Sequence, residues 1–277
     1  MAAALAAVPA AGAADERFAA VELTAHPVSG NVYMLVGAGG NIGVSVGGDG
    51  TLIVDDQFAP LAERIVQALD AIGGERPKLI LNTHFHGDHT GGNPFFGATG
   101  TIIAHDNVRT RLAAQSDFPS QGLPVLTFAD SVRVHFNDDT VEVMHFPAGH
   151  TDGDSVVWFR QANVLHMGDL LFNGAFPFID VASGGSVEGV ITNLSTIIAM
   201  VPDDIRIIPG HGPLAGKTDL EQTLTMIRDT RAAVLGALGS GRSVDDIVAA
   251  GLDPRWSAWG GGFISEERWI RTLAGGY

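Results

Sequence analysis

The stretch Asn82-Thr83-His84-Phe85-His86-Gly87-Asp88-His89-Thr90-Gly91-Gly92 puts three His and one Asp within six residues. Imidazole nitrogens and carboxylate oxygens are ligands for divalent metals, and packing such a cluster without an ion would cost desolvation with little return. His84 and His86 alternate, so on an extended backbone both point to one side and can grip one ion. Asp88 and His89 follow the bend at Gly87 and can face a second position. A lone His at a strand end is commonly a hydrogen-bonded structural residue. Four potential ligands in six residues point instead to metal binding.

Three further positions repeat one pattern. His150 lies in Gly149-His150-Thr151, after a strand ending at Phe146. Asp169 lies in Gly168-Asp169, after a strand over 164–167, and His211 lies in Gly210-His211-Gly212, after a strand over 205–208. Each is a ligand-capable residue after a predicted strand and beside Gly. A site gathered on the loops at one sheet edge demands that placement.

The elements that must position these loops can be read from periodicity. Strands are predicted over 31–36, 41–47, 51–55, 78–82 and 101–104, and then near 125–128, 132–136, 141–146, 155–159, 164–167 and 205–208. Gly48-Asp49-Gly50 signals a hairpin. Helices are predicted from Pro60 to about Ile72, from an Asp106 cap through Ala114, over 187–200 and 220–238, and in a tail over 243–250 and 266–273. Each half runs strands first and helices after. That order predicts a layered α/β protein with two sheets and outer helices. Gly37-Ala38-Gly39-Gly40-Asn41-Ile42-Gly43 lacks the dinucleotide spacing and sits between two strands. It reads either as a hairpin over the site or as a plain turn.

Composition removes other options. The chain has 277 residues and no Cys, so it has neither a disulfide framework nor a thiolate ligand or nucleophile. A net charge of −15 disfavours nucleic acid and anionic lipid and leaves a small molecule as the expected partner. No stretch reads as a membrane span. The Ala-rich start, residues 1–13, ends in Ala11-Gly12-Ala13 and reads as the remnant of a signal peptide lacking its basic region. That implies a periplasmic or secreted protein. Residues 14–277 read as one domain, with a helical extension over about 240–277.

His84-x-His86-x-Asp88-His89, followed in order by Gly-His150-Thr, Gly-Asp169 and Gly-His211-Gly, resembles the metallo-β-lactamase superfamily over roughly residues 28–215. The resemblance implies an αββα four-layer sandwich with two metals at the sheet edge. His84, His86 and His150 would hold the first, Asp88, His89 and His211 the second, and Asp169 would bridge them. It implies two Zn2+ per chain, although an all-N/O set also suits Fe or Mn. It further implies a metal-bound hydroxide as nucleophile, with Asp88 as a catalytic partner for that water.

The branch is narrowed by what stands at two positions. The best-known lactamases of the superfamily place Cys where this chain has Asp169, and tend to carry Lys where it has Phe172. The bridging Asp looks more like glyoxalase II, lactonases and general hydrolases. The expected substrate is a small ester, lactone, thioester or amide, with β-lactam hydrolysis a side activity. The alternative is a phosphodiesterase or nuclease, which the net charge and the lack of a basic cluster disfavour; Arg109 and Arg111 are the densest pair. A non-catalytic scaffold conflicts with an intact ligand set.

The other His are structural by default, with His105, His145 and His166 candidates to support the ligands. Phe172, Phe176 and Phe178 are candidates for an apolar pocket wall. The aromatic tail, Trp256, Trp259, Phe263, Trp269 and Tyr277, reads as a lid, a dimer surface or cover for the outer face.

Overall fold

The computed structural model describes residues 16–275. The expected signal remnant at 1–13 and Tyr277 lie outside them. Seven strands form the first sheet, in sequential order: β1 (Thr24–Ser29), β2 (Val32–Val36), β3 (Ile42–Gly47), β4 (Gly50–Val54), β5 (Leu79–Leu81), β6 (Thr101–His105) and β7 (Leu126–Phe128). The pairs from β1 to β4 are antiparallel and those from β4 to β7 are parallel. The second sheet comprises β8 (Ser131–Phe136), β9 (Asp139–His145), β10 (Ser155–Phe159), β11 (Val164–His166), β12 (Arg206–Ile208) and β13 (Ala215–Gly216), also in sequential order. Only β11 and β12 pair in parallel there.

Period-two alternation sorts the apolar residues into layers. Leu52 and Val54 of β4 and Val157 and Phe159 of β10 meet between the sheets. Ile53 of β4 faces the other way, onto Leu61, Ile65 and Leu69 around helix α1 (Ala62–Ala71). The short helices α2 (Gly87–Thr90), α3 (Asn93–Phe96) and α4 (Asp106–Ala113) follow along the chain; Phe96 of α3 joins the same cluster, and Val108 and Leu112 of α4 pack on Ala104 of β6. Val156 and Trp158 of β10 turn outward onto α5 (Val187–Met200) and α6 (Lys217–Gly239). The tail helices α7 (Val244–Ala250) and α8 (Glu266–Leu273) bury Ile247, Trp269 and Ile270 in the same cluster. The result is the expected αββα sandwich. Among the described residues no helix is long and apolar enough to cross a membrane.

The differences from the sequence reading have local causes. The segment of β1, with Pro27 and a largely exposed pattern, lacks an apolar face. The two-residue β13 is too short to show a period. Helix α4 is capped by His105, whose Nδ1 accepts from the Asn107 amide at 3.2 Å, and Asp106 is its first helical residue. Pro60 sits in a 3-10 turn, Ala59–Leu61, that leads into α1. The tail tryptophans Trp256, Trp259 and Trp269 are buried, so they cover the outer face of the second sheet and its helices.

Candidate metal centre

Every strand that leads toward the cluster ends at the same edge of the sandwich. His84 follows β5, His150 follows β9, Asp169 follows β11 and His211 follows β12. Asp88 and His89 lie on the single helical turn of α2, where the sequence suggested a simple bend. The structure brings all seven side chains together as two groups. His84, His86, His150 and Asp169 offer atoms within 4.8 Å of one another, as do Asp88, His89 and His211.

Asp169 faces both groups. Its Oδ2 lies 3.8 Å from His84 Nε2 and 3.5 Å from His150 Nε2. Its Oδ1 lies 3.1 Å from His89 Nε2 and 3.3 Å from His211 Nε2. That oxygen is buried and receives no well-formed hydrogen bond. The first group converges nitrogen on nitrogen: His84 Nε2 and His150 Nε2 stand 3.1 and 2.9 Å from His86 Nδ1. Buried lone pairs pointed at one another need a cation or protons between them. An orphaned carboxylate oxygen and converging imidazoles therefore fit a divalent metal. Two bare glycine α-carbons make room for the groups: a Cβ on Gly210 would sit 2.1 Å from Asp169 Oδ1, and one on Gly40 2.2 Å from His89 Cε1.

Outer partners fix which nitrogen of each ring faces inward. His89 Nδ1 bonds Asp55 Oδ2 at 2.7 Å, leaving Nε2 for the site. His84 Nδ1 donates to Thr83 Oγ1 at 3.1 Å, and that hydroxyl donates to the same Asp55 oxygen at 2.7 Å. His150 Nδ1 donates to the Phe178 carbonyl at 2.8 Å, and His86 Nε2 meets Asp180 Oδ2 at 3.0 Å. Asp55 and Asp180 were not singled out in the sequence. Asp55 follows the buried strand β4, which is the same signal the ligands give, but no Gly or His stands beside it. Asp180 carries no local signal at all.

Charge is divided unevenly across the site. Burial, with neighbouring imidazoles, pushes His84 well below its usual range and His150 down to about 4, so both rings are neutral, as a ligand must be. Burial also opposes protonation of His89 and His211. The carboxylates around them outweigh it, holding His89 well above its usual range and His211 up to about 9. Burial would raise Asp169 and Asp88, but the surrounding imidazoles hold both below the ordinary carboxylate value. A field that retains protons on two His is one that attracts a cation.

The other candidates separate. His166 Nε2 donates to the Asn41 carbonyl at 3.0 Å and its Nδ1 accepts from the Gly168 amide, so it ties the 37–43 loop to the Asp169 turn. That loop is fastened further by Gly40 N to Asp88 O and by Asn41 N to Gly210 O. His105 and His145 stack on each other at 3.7 Å, and their side chains bond to none of the seven ligands. Phe172 and Phe178 line a cavity above the cluster, whereas Phe176 is buried and stacks on Trp269.

The model of the metallo-beta-lactamase superfamily matches residues 27–211. A hydroxyacylglutathione hydrolase of Nitrosococcus oceani is 29% identical over 185 residues, 62% of this chain and 66% of that protein. A metallo-beta-lactamase type 2 of Bacteroides fragilis is 25% identical over 177 residues, 64% of this chain and 68% of that one. The chain thus spans about two thirds of these relatives' length. A solved metallo-beta-lactamase from Pontibacter korlensis superposes with a TM-score of 0.65 at 18% identity, covering 75% of this chain and 100% of that one, which shows the shared fold.

Proposed function

Because the chain belongs to the metallo-beta-lactamase superfamily, we propose that it is a dinuclear zinc hydrolase of a small ester, lactone, thioester or amide. The observation that carries this reading is Asp169, with one carboxylate oxygen toward each ligand group and one of the two left without a hydrogen bond. His84, His86 and His150 would hold one ion, Asp88, His89 and His211 the other, with Asp169 between. Bound divalent ions supply Lewis-acid polarisation and a nucleophilic water at neutral pH.

The chain's own residues do the rest. Asp55, Thr83, Asp180 and the Phe178 carbonyl hold four imidazoles in the orientation that turns a bare nitrogen inward. Asp88 Oδ2 lies 3.4 Å from His211 Nε2 and lines the cavity. It is ionised and therefore able to take a proton from an attacking water and return it to a leaving group. The phenyl rings of Phe172 and Phe178 limit water on the substrate side.

Metal analysis should find about two zinc ions per chain, and a chelator should abolish turnover of a chromogenic panel of nitrocefin, a lactone, a thioester and a phosphodiester. A metal-free protein with full activity would refute the reading, and a phosphodiester turned over faster than the acyl substrates would change its class. Asp88→Ala should abolish turnover; an unchanged rate would remove Asp88 from the mechanism.

A further inference from the structure

The cavity above the ligands has a volume of about 830 Å3. Its side walls are two aromatic jaws, each built from one ring of the matched module and one ring from outside it. On one side Phe18 meets Phe58, ring centroids 5.0 Å apart. On the other Phe263 meets Phe178 edge to face at 5.8 Å. A guanidinium backs each jaw. Arg17 lies 4.6 Å from the Phe18 ring and 5.0 Å from that of Phe58, and Arg268 lies 5.1 and 5.0 Å from those of Phe178 and Phe263.

Three observations bear on what fits between the jaws. Arg17 is the one Lys or Arg among the described cavity-lining residues, and its guanidinium lies over two rings. The floor presents Asp88 and Asp169 together with His86 and His211. Phe263 is 72% exposed at the lip, an apolar surface continuous with an apolar wall and left uncovered among the described residues. Apart from Arg17 and Asn173, the lining residues outside the candidate ligands carry no polar side chain. An uncharged apolar group would cover the exposed ring.

We propose that Phe18 and Phe263 are specificity-determining walls, and that the cavity selects an acyl substrate with a bulky apolar portion, a medium-chain aliphatic or arylalkyl group. The substrate class rests on the hydrolase reading above; the wall assignment does not. The reacting carbonyl sits on the polar floor and the apolar portion extends between the jaws.

The test separates binding from turnover. The full-length chain, with and without zinc, is titrated calorimetrically with butanamide, hexanamide and octanamide. Affinity should rise about twofold to fourfold per added methylene, the range between half and full burial of a CH2. Phe263→Ala should weaken octanamide binding about tenfold. Equal affinity for butanamide and octanamide, or octanamide binding unaffected by Phe263→Ala, overturns the proposal. Zinc-loaded protein that binds octanamide as expected but hydrolyses no p-nitrophenyl ester from acetate to octanoate overturns the hydrolase reading and leaves the walls standing. Ester hydrolysis indifferent to chain length overturns the walls and leaves the hydrolase reading.

Discussion

On the floor of the cavity, four of the five His have a second polar partner that fixes the ring. On its walls the side chains meet one another mainly through ring faces. His89 is held to Asp55 at 2.7 Å with both side chains fully buried, whereas Phe263 leans on Phe178 and Arg268 from an exposed lip. The floor lies inside the stretch that matches the superfamily, and Phe18 and Phe263 lie outside it. The contrast assigns the two jobs to different physics. Metal geometry needs ring orientation fixed by directional bonds, and those are costly to rearrange once buried. Apolar selection needs area and shape, which aromatics outside the matched stretch, buried Phe18 and exposed Phe263, provide and can vary without disturbing the metal groups.

The largest effect is expected where one polar group holds two ligands. Asp55 accepts from the Thr83 amide and hydroxyl and holds His89, while the Thr83 hydroxyl in turn accepts from His84. Asp55→Ala therefore frees one ring from each ligand group. Zinc affinity should fall about tenfold to a hundredfold, the usual cost of losing an outer partner of a ligand. A competition titration against a chromogenic chelator measures it. Unchanged affinity would mean that backbone geometry, not outer bonding, orients the rings, and the contrast between floor and walls would fail.

The floor was the legible region because its signal is local. Each of the seven candidate ligands is a polar residue that follows a buried strand, or lies in the segment after one, and six of the seven stand within two residues of a Gly. Little but a loop site produces that repetition. The sandwich was legible from alternation, since β4 and β10 send successive residues to opposite layers. What escaped was long-range or carried by a single residue. Asp180 reaches His86 across 94 positions, and Asp55 reaches His89 across 34. An isolated Asp has many ordinary surface uses, so neither pairing can be read from spacing. The walls were half visible: Phe172 and Phe178 follow Asp169 closely, but which of the tail aromatics faces the cavity is decided by packing. Trp256, Trp259 and Trp269 are buried and Phe263 is left at the lip.

A smaller effect should appear where the wall is latched to the scaffold. Arg64 on α1 donates to the Val21 carbonyl at 2.9 Å and the Phe18 carbonyl at 2.7 Å, pinning the segment that carries Arg17 and Phe18. Arg64→Ala should cost about 1–2 kcal/mol in urea unfolding, the scale of a pair of charge-assisted bonds in a half-buried setting. Its zinc content should equal that of the parent protein, because neither bond touches the ligand loops. Loss of zinc in this variant would show that wall and floor are one cooperative unit.

The smallest effect is expected in a polar network remote from both regions. Glu142 on β9 accepts from Arg133 Nε and Nη2 at 3.0 and 2.8 Å through one oxygen, and from Arg160 Nε at 2.8 Å and Nη2 through the other. Burial would raise this carboxyl, but the two guanidiniums outweigh it and hold it below the ordinary carboxylate value. A depressed folded-state value means the ionised form is favoured by folding. Its contribution is therefore present above the unfolded pKa of about 4.3 and lost as pH falls through the lower folded value. Both arginines keep exposed heads, 66% and 37%, so solvent screens the pairs. Glu142→Gln should then cost about 0.5–1 kcal/mol at pH 7, and the gap from the parent protein should narrow below about pH 4 and in high salt. Unfolding curves at pH 7 and pH 3.5 decide the sign. Because this network shares no hydrogen bond with the ligands, zinc content measured in parallel should not move. A fall in zinc would mean that the floor is held by the whole second sheet rather than by its own outer bonds.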